Sequence, residues 1–231
     1  DEKQEIYSLS FEKGYYERPL LGAKNIPVRG GNRDYTVTVQ NTDVLSIDID
    51  LSSPIDMGNL VVKPKQKGET TITVKDNVTN ETVDLKIKIV DSYLNLKVAH
   101  PAQVPYTGGE NLFFINNSDR DFYLFDEKME KKECTGNYQF LIKNSTCYMI
   151  LNFDKELNDK STYEYNISNT SERMFTLIEI LLGIDWNMKT DLINRSTRSA
   201  SPVTMNAVDT ETNIIQYFVA GSNDIPENIL D

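Results

Sequence analysis

The chain has 231 residues, 39% of them hydrophobic and 10% aromatic, with a formal net charge of −11. That length suits two ordinary β domains with real cores, and the apolar content excludes wholesale disorder. The negative balance argues against nucleic acid and against an anionic membrane surface as partners. No apolar run is long enough to span a bilayer, and the longest, Phe175 to Ile184, is interrupted by Glu179.

The chain opens on Asp1 and an acidic DEKQE stretch. That start is expected of a processed chain from which a signal sequence or lipid-anchoring Cys has been cut. Ile6 to Phe11 alternates apolar and polar residues and predicts a first strand. Gly22 to Gly31 is a loop rich in Gly, Pro and Asn that tucks Ile26 and Val28 inward. Tyr35, Val37 and Val39 alternate with threonines and predict a strand, which Gln40 to Asp43 ends. Leu45, Ile47, Ile49 and Leu51 alternate with Ser46, Asp48 and Asp50, a strand with an acidic solvent face that discourages edge pairing. From Gly58 to Val90 three alternations follow one another, separated by Lys67-Gly68 and Asp76-Asn77. A period of two places Leu60, Val62, Ile72, Val74, Val83, Leu85, Ile87 and Ile89 on one dry face, predicting an antiparallel meander that needs a covering sheet.

Short strands at this spacing with turn residues between them are the pattern of a β-sandwich. Asn41-Thr42-Asp43-Val44-Leu45, then Gly58-Asn59-Leu60-Val61-Val62, then Gly68-Glu69-Thr70-Thr71-Ile72-Thr73-Val74 resemble the bacterial immunoglobulin-like (Big) domain. The resemblance covers residues 5–91. It implies an immunoglobulin-like sandwich over 1–91, in a family that serves as adhesin modules, spacers and appendages of surface enzymes. The long Leu51–Gly58 connection departs from the family pattern.

Residues 91–109 read as the boundary. Leu94, Leu96 and Val98 form a short strand leading into a second body over 92–231, and Pro101, Pro105 and Gly108-Gly109 break any regular element after it. Further strands are predicted at Leu112–Ile115, Phe122–Phe125, Tyr138–Ile142, Cys147–Phe153, Tyr163–Ile167, Val203–Ala207 and Ile214–Val219. Their aromatic, less alternating composition predicts a strongly curved antiparallel sheet or small barrel. Asn169 to Ser171 supply caps for a helix over 172–182, with Gly183 as its stop, and its wide apolar face predicts that it plugs or caps the sheet. Asn194 to Ser201 reads as a polar loop. The second body resembles lipocalin-like C-terminal domains of bacterial surface lipoproteins, a resemblance that implies no ligand or active site.

Little in the sequence points to catalysis. Cys134 and Cys147 are out of register for a bridge across the hairpin that turns at Lys143–Thr146; two buried free thiols are expected, with a bridge between non-adjacent strands as the alternative. No CxxC, P-loop, GxSxG or HExxH motif occurs, and the single histidine, His100, precedes Pro101 in the boundary. No catalytic, metal or cofactor residue is assigned, and no cofactor is expected. Asn77, Asn80, Asn116, Asn144, Asn166, Asn169 and Asn194 each begin an Asn-x-Ser/Thr triplet, which the Big resemblance makes products of Asn- and Thr-rich turns rather than glycosylation sites. Twelve Tyr, nine Phe and the single Trp186 form either the ordinary core of aromatic strands or a platform for a sugar ring or apolar ligand. The expectation is a mostly β, two-domain, non-enzymatic protein, extracellular or on the outer cell surface. It would act in binding or adhesion to a glycan or a cell-surface protein, with the first domain as spacer. The alternatives are a structural subunit of a surface assembly, a carrier of a small apolar ligand or glycan, and, last, a hydrolase built on a carboxylate pair.

Overall fold

The computed structural model describes residues 4–186 and 203–231, so the stretch 194–201, with Asn194, lies outside the described residues. The chain is mostly β and divides into two compact units, residues 1–91 with 230–231, and residues 92–229.

The first unit is a sandwich of two sheets. Its strands are β1 (Tyr15–Pro19), β2 (Ile26–Pro27), β3 (Tyr35–Val39), β4 (Leu45–Asp50), β5 (Asn59–Pro64), β6 (Gly68–Asp76) and β7 (Thr82–Val90). One sheet has the order β1-β7-β6-β3 and the other β2-β5-β4. β1 runs parallel to β7 and every other pairing in the unit is antiparallel. Between the sheets lie Leu45, Leu60, Ile72, Val74, Leu85, Ile87 and Ile89, all buried, together with Ile26 and Val28 from the early loop.

Two expectations change here. The three alternations of 58–90 do not form one meander: β6 and β7 are a hairpin, whereas β5 pairs with β4 and β2 in the facing sheet. Alternation fixes which side of a strand is dry but not which sheet carries it, and two facing sheets present their dry sides to the same core. The Ile6–Phe11 strand is absent as well. Only Ser10 and Gly30 form a bridge there, Leu9 alone is buried in that run, and Ile6 and Tyr7 are exposed. The edge position beside β7 is taken by Tyr15–Pro19, whose Glu17, Arg18 and Pro19 conceal a strand from any test of alternation.

The second unit is a closed barrel. Its strands are β8 (Tyr93–Val98), β9 (Asn111–Ile115), β10 (Asp121–Phe125), β11 (Lys132–Lys143), β12 (Thr146–Leu157), β13 (Lys160–Asn166), β14 (Thr204–Asp209) and β15 (Ile215–Ala220), closed in the order β10-β11-β12-β13-β14-β15-β8-β9. All eight pairings are antiparallel. Asn144-Ser145 and Asn158-Asp159 turn two of the hairpins with both residues at positive φ (50° and 60°, 56° and 63°), the tight geometry that matches strand twist. The Ile142–Cys147 register matches the expected hairpin, and both thiols are free and buried. β11 and β12 outrun their expected lengths by several residues. Their polar ends, Lys132-Glu133 and Lys155-Glu156, carry no apolar alternation; the first lies beside β10, where Lys132 pairs with Phe125, and the second falls in the register irregularity between Asn152 and Leu157.

Between β13 and β14 comes the helix α1 (Glu172–Leu182), with Ser171 as N-cap accepting from the Met174 amide and Gly183 as C-cap at φ 63°. Met174, Phe175, Ile178 and Leu182 join the same buried cluster as the barrel-lining side chains. Trp186 is 2% exposed, donates from Nε1 to the Phe175 carbonyl at 3.1 Å and meets the rings of Phe175 and Phe140 edge-on. The Arg120 guanidinium, on the β9–β10 turn, donates to the Leu182 carbonyl and so clamps the helix end to that rim. One end of the barrel is thereby sealed.

Candidate functional site

Strand direction decides what the other end carries. Since α1 leaves from the end of β13 and lies against the β9–β10 turn, the connections at the opposite end are 99–110, 126–131, 158–159 and 210–214. The first of these is the longest, and it folds back into the mouth. Its Tyr106 is 6% exposed, packs edge-on against Phe218 at 5.6 Å, and accepts a hydrogen bond from the Tyr165 hydroxyl at 3.4 Å. Burial, reinforced by the neighbouring Tyr165, pushes the Tyr106 phenol well above the ordinary tyrosine value, so it stays neutral while its ring corks the mouth beside Phe218.

Local bonds hold this loop. The Gln216 side chain, 1% exposed, accepts from the Gln103 amide at 2.7 Å and donates to the Tyr217 carbonyl at 2.7 Å. The Glu110 carboxylate, 6% exposed, accepts from Thr107 Oγ1 at 2.8 Å and from the Thr107 amide. Gly108 sits at φ 108° with the His100 ring against it, where a Cβ would lie 2.2 Å from the imidazole. His100 is exposed on the loop surface.

The corked loop leaves a cavity on each side. One, of about 590 Å³, is bordered by Glu110, Asp126, Glu127, Glu130 and Glu133, with Cys134 at its wall. Burial pushes the Cys134 thiol up to about 11, partly offset by the Lys155 ammonium, which leaves it protonated and inert at neutral pH. Asp126 is committed to its own turn, where Oδ1 accepts from the Glu130 and Lys131 amides at 2.8 and 3.0 Å.

The second cavity, of about 390 Å³, lies between the β12–β13 and β14–β15 turns. The buried Tyr163 and Tyr165 form its floor, and Val104 and Ile214, 58% and 48% exposed, stand at its rim. Lys160 Nζ lies 2.9 Å from Glu211 Oε2, 3.9 Å from Asp209 Oδ2 and 4.3 Å from the Tyr163 ring centroid. Burial alone would lower this ammonium, but Glu211 and Asp209 more than offset it and hold it above the ordinary lysine value. Asp209 Oδ1 accepts from the Glu211 and Thr212 amides at 2.8 and 3.2 Å, which builds the turn.

Most of the aromatic residues that suggested an exposed platform are buried, and Phe11, Tyr15, Tyr93, Tyr123 and Tyr148 are half-buried. Among the described residues only Tyr7 and Tyr217 are exposed aromatics, and Trp186 belongs to the sealed end. Sequence reasoning missed Tyr106, Lys160, Asp209 and Ile214 as site residues: Tyr106 lies in a breaker-rich loop, Lys160 and Asp209 are charged residues at strand ends, and Ile214, read as the start of a strand, lies just before β15. The available signal was the Asp209-Thr-Glu-Thr-Asn213 stretch between two strands, which marks a rim turn without saying what faces it.

No family model and no curated protein matches the chain. Among solved structures it is similar to domains 5–6 of the S-layer protein SbsC, at 13% identity and a TM-score of 0.31, over 69% of this chain and 95% of that one. It is also similar to domains 4–9 of the same protein, at 12% identity and 0.32, over 71% of this chain and 29% of that one. A likeness at that score carries no argument here. No helix among the described residues is long and apolar enough to cross a membrane.

Proposed function

We propose that the protein is a non-enzymatic binding module of the bacterial cell surface or exterior. Its barrel would recognise the ligand at the open mouth, and a sandwich of the bacterial immunoglobulin-like type would serve as spacer. The observation that supports this reading is the asymmetry of the barrel: α1 and Trp186 seal one end, while the other gathers four connections, a buried tyrosine cork and two cavities. Ligand sites favour barrel mouths, and loops on a rigid scaffold are where recognition residues collect. The partner would be a glycan or a cell-surface protein, and the chain's net charge of −11 disfavours nucleic acid. The non-enzymatic part of the reading draws on how the mouth carboxylates are used: Glu110, Asp126 and Asp209 each accept from the backbone of their own loop.

The runner-up is a structural subunit that adds a strand to a partner's sheet. β4 is an edge strand, but its Asp48 pairs with Lys63 on the outer face, which blunts that edge. The test is an array of glycans and extracellular proteins probed with the full chain and with two sets of exposed substitutions. Val104→Asp with Ile214→Asp at the mouth is expected to abolish binding, and Ile55→Asp on the sandwich is expected to leave it unchanged. The reverse result would move recognition to the sandwich, and self-association with no array signal would favour the assembly reading.

A further inference from the structure

The smaller cavity has a chemistry of its own. Asp209 is 7% exposed, and its Oδ1 is spent on the 211 and 212 amides. Asp209 lines the cavity, and its Oδ2 lies 3.9 Å from Lys160 Nζ, too far for a hydrogen bond, and so retains accepting capacity. Lys160 donates to Glu211, whose side chain is 71% exposed, and an ammonium has three protons to offer. A free acceptor and an available donor therefore stand side by side. Next to them lie the exposed alkyl side chains of Val104 and Ile214 and the edge of Tyr163.

A pair of adjacent hydroxyls fits that arrangement: one oxygen accepts from Lys160 while the neighbouring hydroxyl donates to Asp209. A ring that carries such a pair on its edge and an apolar C–H face meets the alkyl and aromatic wall at the same time. An anionic ligand is disfavoured, because Asp209 and Glu211 outnumber Lys160 here and the whole chain is acidic. We propose that this cavity binds a neutral sugar ring, held through two adjacent hydroxyls by Lys160 and Asp209 and stacked against Ile214 and Val104. The volume of about 390 Å³ lies within the range of small-molecule sites. The proposal rests on the reading of the barrel mouth as the recognition surface and names the ligand class of one of its two cavities.

The experiment is an amide NMR titration of the full chain with methyl α-D-glucopyranoside, methyl α-D-mannopyranoside and methyl β-D-galactopyranoside, with hexanoate as the anionic apolar contrast. At least one glycoside is expected to saturate in the millimolar range, with shifts concentrated at 103–104, 158–165 and 209–216. Asp209→Asn and Ile214→Ala, the latter at an exposed position that leaves the fold intact, are each expected to weaken it by about tenfold or more. Hexanoate alone saturating this cavity would overturn the sugar assignment. Glycoside shifts at Glu110, Asp126 and Glu133 instead would overturn the assignment while leaving the mouth as the recognition surface. Shifts confined to the sandwich or to α1 would overturn both, and no shift with any glycoside would overturn the proposal.

Discussion

Single residues decide several local outcomes. Asp76, fully buried at the end of β6, accepts from the Asn32 amide and side chain at 2.9 and 2.8 Å and from the Val78 and Thr79 amides at 2.9 and 3.4 Å. Burial raises its carboxyl, but the bonds from Asn32, Val78 and Thr79 together win and hold it below the ordinary 3.8. A depressed folded-state value means that its stabilisation is complete above about 3.9, fades as the pH falls and is gone below the folded value. Asp76→Ala should cost about 2–3 kcal/mol at pH 7, since the donors lose their acceptor, and the deficit should shrink when urea midpoints are compared at progressively lower pH below 3.8. Gly136 makes a steric case. A Cβ there would lie 2.0 Å from the Asn152 carbonyl and 2.6 Å from the Phe122 ring, on a strand fixed by neighbours on both sides. Gly136→Ala should therefore destabilise the barrel by about 1–3 kcal/mol, seen as a lowered midpoint in thermal or urea unfolding.

At the scale of elements, α1 is where sequence pattern and packing agree. Ser171, the apolar stripe and Gly183 mark its ends in the sequence, and the structure adds what they cannot, that the stripe faces the lumen of a closed barrel. Ile178→Ala, at a fully buried position, should cost about 2–5 kcal/mol, and Ser171→Ala about 1 kcal/mol. The single tryptophan reports on both. Trp186 should emit at short wavelength and resist acrylamide quenching in the wild type, and it should become quenchable in the Ile178→Ala protein at denaturant concentrations where the wild type is still folded. Strands were legible where one face is dry or the whole run is apolar: β3, β4, β6 and β7 follow their alternation, and β9 and β10 their apolar runs. β1 was hidden by Glu17, Arg18 and Pro19, and the polar ends of β11 and β12 by their lysines and glutamates, because ladder hydrogen bonds hold backbone whatever the side chain. The assignment of β5 to the second sheet was not readable either. Pairing partners are a tertiary choice among strands of equal periodicity.

For the whole molecule, the candidate site was the least legible part. Tyr106 arrives from a loop, Lys160 from the start of β13 and Asp209 from the end of β14, and the first and last are 103 positions apart in the chain. Only barrel closure, which depends on β9 pairing with β10 and on β8 pairing with β15, brings them to one rim. In the proposed function, recognition occurs at this open end and nowhere else on the chain. The direct measurement is hydrogen–deuterium exchange of the full chain with and without the ligand identified on the array. Slowed exchange is expected only at 103–108, 126–131, 158–160 and 209–216, with α1 and the sandwich strands unchanged. Protection centred instead on 51–58, on the 144–145 turn or on the edge strands β3 and β4 would contradict it.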